Sequence, residues 1–323
     1  MKMGKVFLLC VVSLLMSASG AFPQTVAPAY PTQTVKIVVP FSAGSNTDIL
    51  ARILADGLAT LWGQTVIVEN KPGIPGTVSA AKSDADGYTL MLTSNGHTIL
   101  NVINKDLPID PIKDFAGVAE VASVPLVLIV TPALPAANLK EFIALAKEKP
   151  GTLNFASAGL ASSNYIAGEL LKQTAKIDIV HIPYRGTPEQ LTSLMRGDAQ
   201  LSMAFLGTAL SFIQSGKVRA LAIATPQRNP ALPDVPTFAE SGVPEYQYDS
   251  WFGLMAPAKT PAPILKKISD DVASILKNPD VQKRWEILGA IPVVSTPDQF
   301  DATIRSDADR YGKLLKAAGV TPN

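Results

Sequence analysis

Short β-branched runs alternate with segments of helical period along most of this chain, and that alternation restricts the fold more than any single motif. Thr34 to Pro40 (TVKIVVP) reads as a buried strand bounded by turn residues. Ser42-Ala43-Gly44-Ser45-Asn46 then turns the chain into a helix in which Ile49, Leu50, Ile53, Leu54, Leu58 and Leu61 recur at helical spacing, and Gly63 ends it. Further strands are expected at Thr65–Glu69, Tyr88–Leu92, Leu126–Thr131, Leu153–Ala156, Ile179–Pro183, Leu201–Ala204 and Arg219–Ala224. Helices are expected at Leu139–Lys147, Ser162–Thr174, Pro188–Met195, Ala262–Leu276 and Pro297–Ala317. Strands and helices in this order imply an α/β fold, with mostly parallel sheets flanked by helices.

Composition narrows the function classes. The 323 residues are 47% apolar and 17% charged, enough for a packed core. At ~150 residues per domain the chain holds about two domains. A formal net charge of +1 and two histidines argue against a nucleic-acid binder, which would show a basic face. Met1 to Ala21 carries Lys2 and Lys5, an apolar run from Val6 to Met16, and then small residues, the grammar of a secretory signal peptide with a cut after Ala21. A lipoprotein anchored at Cys10 would need an unusually short signal. Cys10 is the single cysteine, so the mature chain would hold no disulfide and no thiol nucleophile. No other stretch reaches the ~18 apolar residues of a spanning helix. From about Phe22 to Gln33 a Pro-, Ala- and Thr-rich segment reads as an extended leader. The expected product is a soluble, exported protein.

Catalytic and cofactor motifs are missing. There is no G-x-S-x-G elbow, Walker A loop or G-x-G-x-x-G turn, so no cofactor is expected. His97 and His181 are too few and too far apart to suggest a metal site. His181, in the apolar IVHIPY, reads as a packed or rim histidine. His97 follows the polar turn Thr93-Ser94-Asn95-Gly96 at a strand end, where ligands gather in open α/β sheets; it could face a cleft or cap the turn. Asp48 suits the first turn of its helix as a dipole partner, or could accept from a ligand. Trp251 and Phe205 could wall a cleft or fill a core.

One unit is duplicated. Phe41-Ser42-Ala43-Gly44 precedes polar residues and a helix, and Phe155-Ala156-Ser157-Ala158-Gly159 does the same. One such unit per lobe would present N–H groups and hydroxyls at two helix N-termini, and facing turns would clamp a carboxylate. Ordinary N-capping, by Ser45 or Asn46 and by Ser162 or Ser163, is the alternative.

The chain resembles the substrate-binding proteins of tripartite tricarboxylate transporters, also called Bug receptors, over essentially its whole mature length. The resemblance is carried by Tyr30-Pro31, by Pro40-Phe41-Ser42-Ala43-Gly44-Ser45-Asn46-Thr47-Asp48, by Val68-Glu69-Asn70-Lys71-Pro72-Gly73 and by Asp86-Gly87-Tyr88-Thr89-Leu90. Asp110-Pro111-Ile112-Lys113-Asp114-Phe115, Pro150-Gly151-Thr152-Leu153-Asn154-Phe155-Ala156-Ser157, His181-Ile182-Pro183-Tyr184-Arg185-Gly186 and Leu232-Pro233-Asp234-Val235-Pro236-Thr237 extend it. It implies a two-lobed, type II-like periplasmic binding-protein fold with a ligand cleft between the lobes. Lobe one would be discontinuous, 22–124 plus 246–323, and lobe two 125–245.

The resemblance further implies a receptor, not an enzyme, that closes about a hinge on a small carboxylate and delivers it to a membrane transporter. By position, the carboxylate would be held, partly through bridging waters, by Phe41, Ser42, Ala43, Gly44, Ser45, Thr47 and Asp48, and by Ser157, Gly159, Ala161, Ser162 and Ser163. Ser94, Asn95 and His97, together with Phe205, Leu206, Gly207 and Thr208, would line the cleft, with Trp251 a further candidate. Two departures from the family pattern stand out: Gly44 is followed by Ser45 where a second glycine is usual, and the Phe205 loop begins without a polar residue. Apolar Phe205 and Leu206 would favour a ligand with hydrocarbon or aromatic bulk behind a di- or tricarboxylate or aromatic acid. An exported enzyme using His97 or Asp48, and a sensory subunit reporting to a membrane kinase, remain open beside the transport role. A monomer is expected.

Overall fold

The computed structural model describes residues 30–320 and 322, and the expected signal peptide and its cleavage point lie outside them. The first leg of the chain builds β1 (Val35–Val39), α1 (Asn46–Trp62), β2 (Val66–Asn70), α2 (Ile74–Ala81) and β3 (Thr89–Ser94). A 3₁₀ turn (Asn95–Ile99), α3 (Leu100–Ile103) and β4 (Phe115–Ser123) follow. Four of the five β1 residues are Val or Ile, and its Val35, Ile37 and Val39 are fully buried, because helices or neighbouring strands cover both faces. Gly63 stops α1 in the left-handed region (φ 63°), donating its N–H to Ala59 O.

The second leg runs through β5 (Leu126–Val130), α4 (Leu139–Glu148), β6 (Asn154–Ser157), α5 (Ser163–Ala175), β7 (Val180–Pro183), α6 (Thr187–Arg196), β8 (Leu201–Phe205), α7 (Leu206–Gln214) and β9 (Arg219–Ile223). The chain then returns as β10 (Trp251–Pro257), α8 (Ala262–Leu276), α9 (Pro279–Ile287), β11 (Ile291–Pro292) and α10 (Pro297–Ala317). Two sheets result: β11-β4-β10-β3-β1-β2, and β7-β6-β8-β5-β9. Legs one and three supply the first sheet and its lobe and leg two the second; the chain passes between the sheets once between β4 and β5 and again in the long segment before β10.

Among the described strands four pairings are parallel and five antiparallel, so the sheets are mixed where the sequence suggested mostly parallel ones. Strands made by βαβ crossovers (β1, β2, β3; β6, β7, β8) stay parallel. Those next to the crossings do not: β10 returns antiparallel to both β3 and β4, and β5 runs antiparallel to both β8 and β9.

Trp251 opens β10 and packs with Val38, Met91, Phe115, Met255 and Phe300 in the core of the first lobe. It is 3% exposed, its indole N–H donates to Asp307 Oδ2 at 2.7 Å, and Phe300 meets it edge-on at 5.0 Å. Trp251 thus fills the core of the first lobe, one of the two roles the sequence offered it. Leu206 is 2% exposed and packs with Val127, Ile129, Leu191 and Ala209 in the core of the second lobe. The Phe205–Thr208 segment is the first turn of α7, not a loop.

Candidate functional site

The duplicated turns come to the same place. On the first lobe, β1 ends in a turn that Gly44 completes at φ 76°, and Ser45 caps α1 by accepting the Asp48 N–H at 3.3 Å. On the second lobe, Gly159 turns at φ 108° and Ser162 caps α5 by accepting the Tyr165 N–H at 3.2 Å. Both serine hydroxyls thus satisfy backbone donors at the helix ends.

Asp48 is not turned toward a ligand. Oδ2 accepts from Gly44 N (2.8 Å) and Arg52 Nε (3.1 Å), while Oδ1 accepts from Asn70 Nδ2 (2.9 Å) and faces Arg52 Nη2 (3.0 Å). Burial pushes its carboxyl up, but the hydrogen bonds from Arg52, Gly44 and Asn70 outweigh that and hold it below the usual range. Asp48 braces the turn, and Asn70 Nδ2 also reaches Phe41 O at 3.2 Å.

His97 is likewise turned away. It is 1% exposed, its Nε2–H donates to Pro111 O at 2.8 Å, and its ring meets Phe115 edge-on at 5.1 Å. Burial lowers its pKa to about 4, so it stays neutral. His181 lies between Phe155 and Tyr165 with Nε2 2.6 Å from Ser157 Oγ, and burial lowers its pKa to about 3. That Ser–His contact does not form a nucleophile pair: Ser157 has no exposed surface, and its hydroxyl holds the turn by accepting the Gly159 N–H at 3.1 Å.

The turns of the two lobes touch along a seam. Ser42 N–H donates to Arg185 O at 3.3 Å. Ser163 Oγ donates to Asn95 Oδ1 at 2.5 Å, and the Tyr248 hydroxyl stands 3.1 Å from that oxygen and 2.9 Å from Ser163 O. Asn95 Nδ2 donates to Asp249 O at 3.1 Å, tying the seam to the returning crossing. Ala161 abuts Gly96, and Phe205 meets Phe252 of the first lobe with ring centres 5.1 Å apart. Thr47 is buried in the first turn of α1, Ala43 and Gly44 are exposed, and the Thr208 hydroxyl donates back to Phe205 O at 3.0 Å.

Several buried polar atoms on these elements lack a protein partner: Ser42 Oγ, Asn46 Nδ2 and Oδ1, Ser94 Oγ and Asn164 Oδ1. Asn46 is 1% exposed, Ser94 2% and Asn164 not at all. A buried amide or hydroxyl left without a hydrogen bond costs about 1–3 kcal/mol, so each of these atoms calls for a partner outside the protein, a water or a polar ligand. None carries charge; the positive potential comes from the N-termini of α1 and α5, each worth roughly half a unit charge. A cavity of about 610 Å³ opens on the seam between Phe41, Gly73 and Leu100 of the first lobe and Gly159, Ala161 and Tyr184 of the second. Sequence reasoning missed Asn46, Asn164 and Tyr248. The first two had a signal: both duplicated units place a Ser-Asn pair at the helix start, Ser45-Asn46 and Ser163-Asn164.

Two α/β lobes joined by paired crossings, with helix N-termini facing across a seam, define the periplasmic binding-protein class. The chain belongs to the tripartite tricarboxylate transporter family receptors, whose family model matches residues 50–320. It is 33% identical to protein BugT of Bordetella pertussis over 97% of this chain and 98% of that one. Among solved structures, R. palustris Rpa4515 with adipate is 32% identical at a TM-score of 0.85, covering 91% of this chain and all of that one. MatC from Rhodopseudomonas palustris with bound malate is 33% identical at a TM-score of 0.81, covering 88% of this chain and all of that one.

Proposed function

We propose that this chain is a non-enzymatic periplasmic receptor that captures a small carboxylate between its lobes by hinge closure and delivers it to a tripartite membrane transporter. The observation that carries this reading is the set of buried, unpartnered polar side chains at the strand ends and helix starts, Ser42, Asn46 and Ser94, each with a donor free. A carboxylate there accepts from hydroxyls, amide N–H groups and the free N–H groups of two helices; such charge-assisted bonds are strong in a dry site and need no basic residue. Adipate and malate in two similar proteins support the ligand class. The lobes in this reading are 22–124 plus 246–323, and 125–245, with a leader removed after Ala21.

Binding drives closure because the ligand touches both lobes only when they meet; a ligand shifts a conformational equilibrium by its differential affinity alone. The two neutral, inward-packed histidines and the fully bonded Asp48 leave no poised acid or base among the groups the sequence proposed, which favours capture over turnover. Thermal unfolding against a panel of di- and tricarboxylates, hydroxy acids, amino acids and aromatic acids tests the reading. A ligand at 100 times its dissociation constant adds about 2.7 kcal/mol. A clear rise in Tm, with the compound recovered unchanged, is the expected result; no rise across the panel, or consumption of the compound, would sink it.

A further inference from the structure

Three glycines occupy the seam for a reason their own backbones do not supply. Gly96 lies in the 3₁₀ turn, Gly186 precedes α6 with extended backbone (φ 174°), and Gly207 lies in the first turn of α7. None is in the left-handed region, so their conformations are open to any L-residue. What excludes a side chain is the opposite lobe. A Cβ on Gly207 would overlap the Leu288 carbonyl and lie 2.5 Å from Leu288 Cα; one on Gly96 would overlap the Ala161 carbonyl and lie 2.5 Å from Ser162 N; one on Gly186 would overlap Ser42 Oγ.

We propose that Gly96, Gly186 and Gly207 set how far the lobes close, each admitting backbone or side chain of the opposite lobe into space that a methyl group would fill. The proposal rests on the receptor reading and deepens it by naming residues that act on closure rather than on ligand. The three contacts are spread along the seam: Gly186 against the β1 turn, Gly96 against the α5 turn, and Gly207 against the end of α9. They limit closure at separate points, so relief at one does not relieve the others. They also differ in hardness. Gly96 and Gly207 meet backbone held in helical turns, where ordinary contact begins at 3.4 Å and the shortfall can be relieved only by moving the lobes apart. Gly186 meets a hydroxyl that can rotate about χ1. Gly44, also at the seam, has Pro188 Cγ at 3.6 Å and reaches φ 76°, so its backbone and not the opposing lobe requires glycine there. Gly117, Gly168 and Gly253 differ again, since Phe300, Phe155 and Phe300 of their own lobes fill the space.

The test places spin labels on the full-length Cys10→Ser protein at exposed Lys105→Cys and Arg196→Cys, one per lobe, and reads interlobe distances with and without L-malate and adipate, alongside calorimetric affinities. Wild type is expected to gain a short-distance population with a probe that binds. Gly96→Ala and Gly207→Ala should remain at longer distances and bind about tenfold or more weakly, the scale of one overpacked methyl. Their unfolding should stay cooperative, because the clash lies between lobes and not within one. Gly186→Ala should be nearly normal, because the Ser42 hydroxyl it meets can turn aside. Gly216→Ala, at φ 69° with nothing within 4 Å, controls for the backbone cost of the substitution and should close like wild type. Closure of Gly96→Ala and Gly207→Ala as complete as wild type overturns the proposal and leaves the receptor reading standing. A Gly186→Ala defect as large as theirs overturns the steric origin, since the contact there is with a rotatable hydroxyl and not with backbone. A wild type that stays at long distance with both probes and without them overturns the closure reading and this proposal together.

Discussion

Asn46 and Asn164 are polar side chains whose burial is unfavourable for folding unless something outside the protein answers them. Each is buried at the start of a helix with amide atoms left unpaired by protein: both atoms of Asn46 and the oxygen of Asn164, whose Nδ2 is bound to Met203 O. Asn46→Ala removes an uncompensated polar group, so the ligand-free protein should unfold at an unchanged or slightly higher temperature, whereas Asn164→Ala also gives up the bond to Met203 O and should unfold lower. Affinity of Asn46→Ala for the carboxylate found in the panel should fall about tenfold, the worth of a hydrogen bond to a charged partner. A parallel loss of stability and affinity in Asn46→Ala would assign its amide a structural role instead. The serines beside them illustrate what residue type leaves undetermined. Hydroxyls at helix starts are visible in the sequence, but which one caps and which faces outward depends on where the first helical φ/ψ falls, and a one-residue shift exchanges the roles.

The helices were legible because their apolar spacing and caps agree. α8 and α10 run over the expected spans, and α10 begins with a full capping box between Thr296 and Gln299. At α1 and α5 the caps are Ser45 and Ser162, which the sequence also proposed as ligand contacts. Ser45→Ala and Ser162→Ala should each lower stability by about 1 kcal/mol, the usual cost of losing a cap, measured by urea unfolding, with affinity changed far less than in Asn46→Ala. A drop in affinity at unchanged stability would restore the serines to the ligand. β10 was not legible. Its Trp251-Phe252-Gly253 start follows a Pro-rich stretch and reads as irregular, because a glycine weakens a strand when judged locally. In the fold the Phe300 ring from α10 occupies the space beside Gly253, and the pairing with β4 shifts register there. A partner 47 positions along the chain supplies what that strand lacks.

Across the whole protein, four buried groups oppose one another in pH. Burial lowers His97 to about 4 and His181 to about 3 from 6.5, so the stability they lend above pH 6.5 is lost as pH falls toward those values. Burial, aided by the Asp249 charge, raises Glu120 to about 7 and Asp307 to about 6. The folded state then holds protons that the unfolded chain has released, and stability is lost as pH rises through that range. Between about pH 4.5 and 6 the two pairs oppose each other, and buried Glu169, its carboxyl also raised by desolvation, adds to the acidic side. Glu120→Gln/Asp307→Asn should therefore show Tm rising with pH more steeply than wild type across that window. A profile in the double variant no steeper than wild type would refute the opposition.

The alternation of strand and helix, the duplicated turn and the family pattern were all written along the chain, because backbone preference and apolar period are local properties. From them followed the α/β class, two lobes and the receptor family. The sense of the strands at the crossings, the inward turn of His97 and Trp251, the bracing role of Asp48 and the burial of Asn46 and Asn164 were settled only in three dimensions. Each depends on partners distant in sequence: Pro111 for His97, Asp307 for Trp251, Asn70 for Asp48. Gly96 and Gly207 carry the same distinction furthest. Nothing in their own φ asks for glycine, and only the approach of the other lobe explains why no side chain fits there.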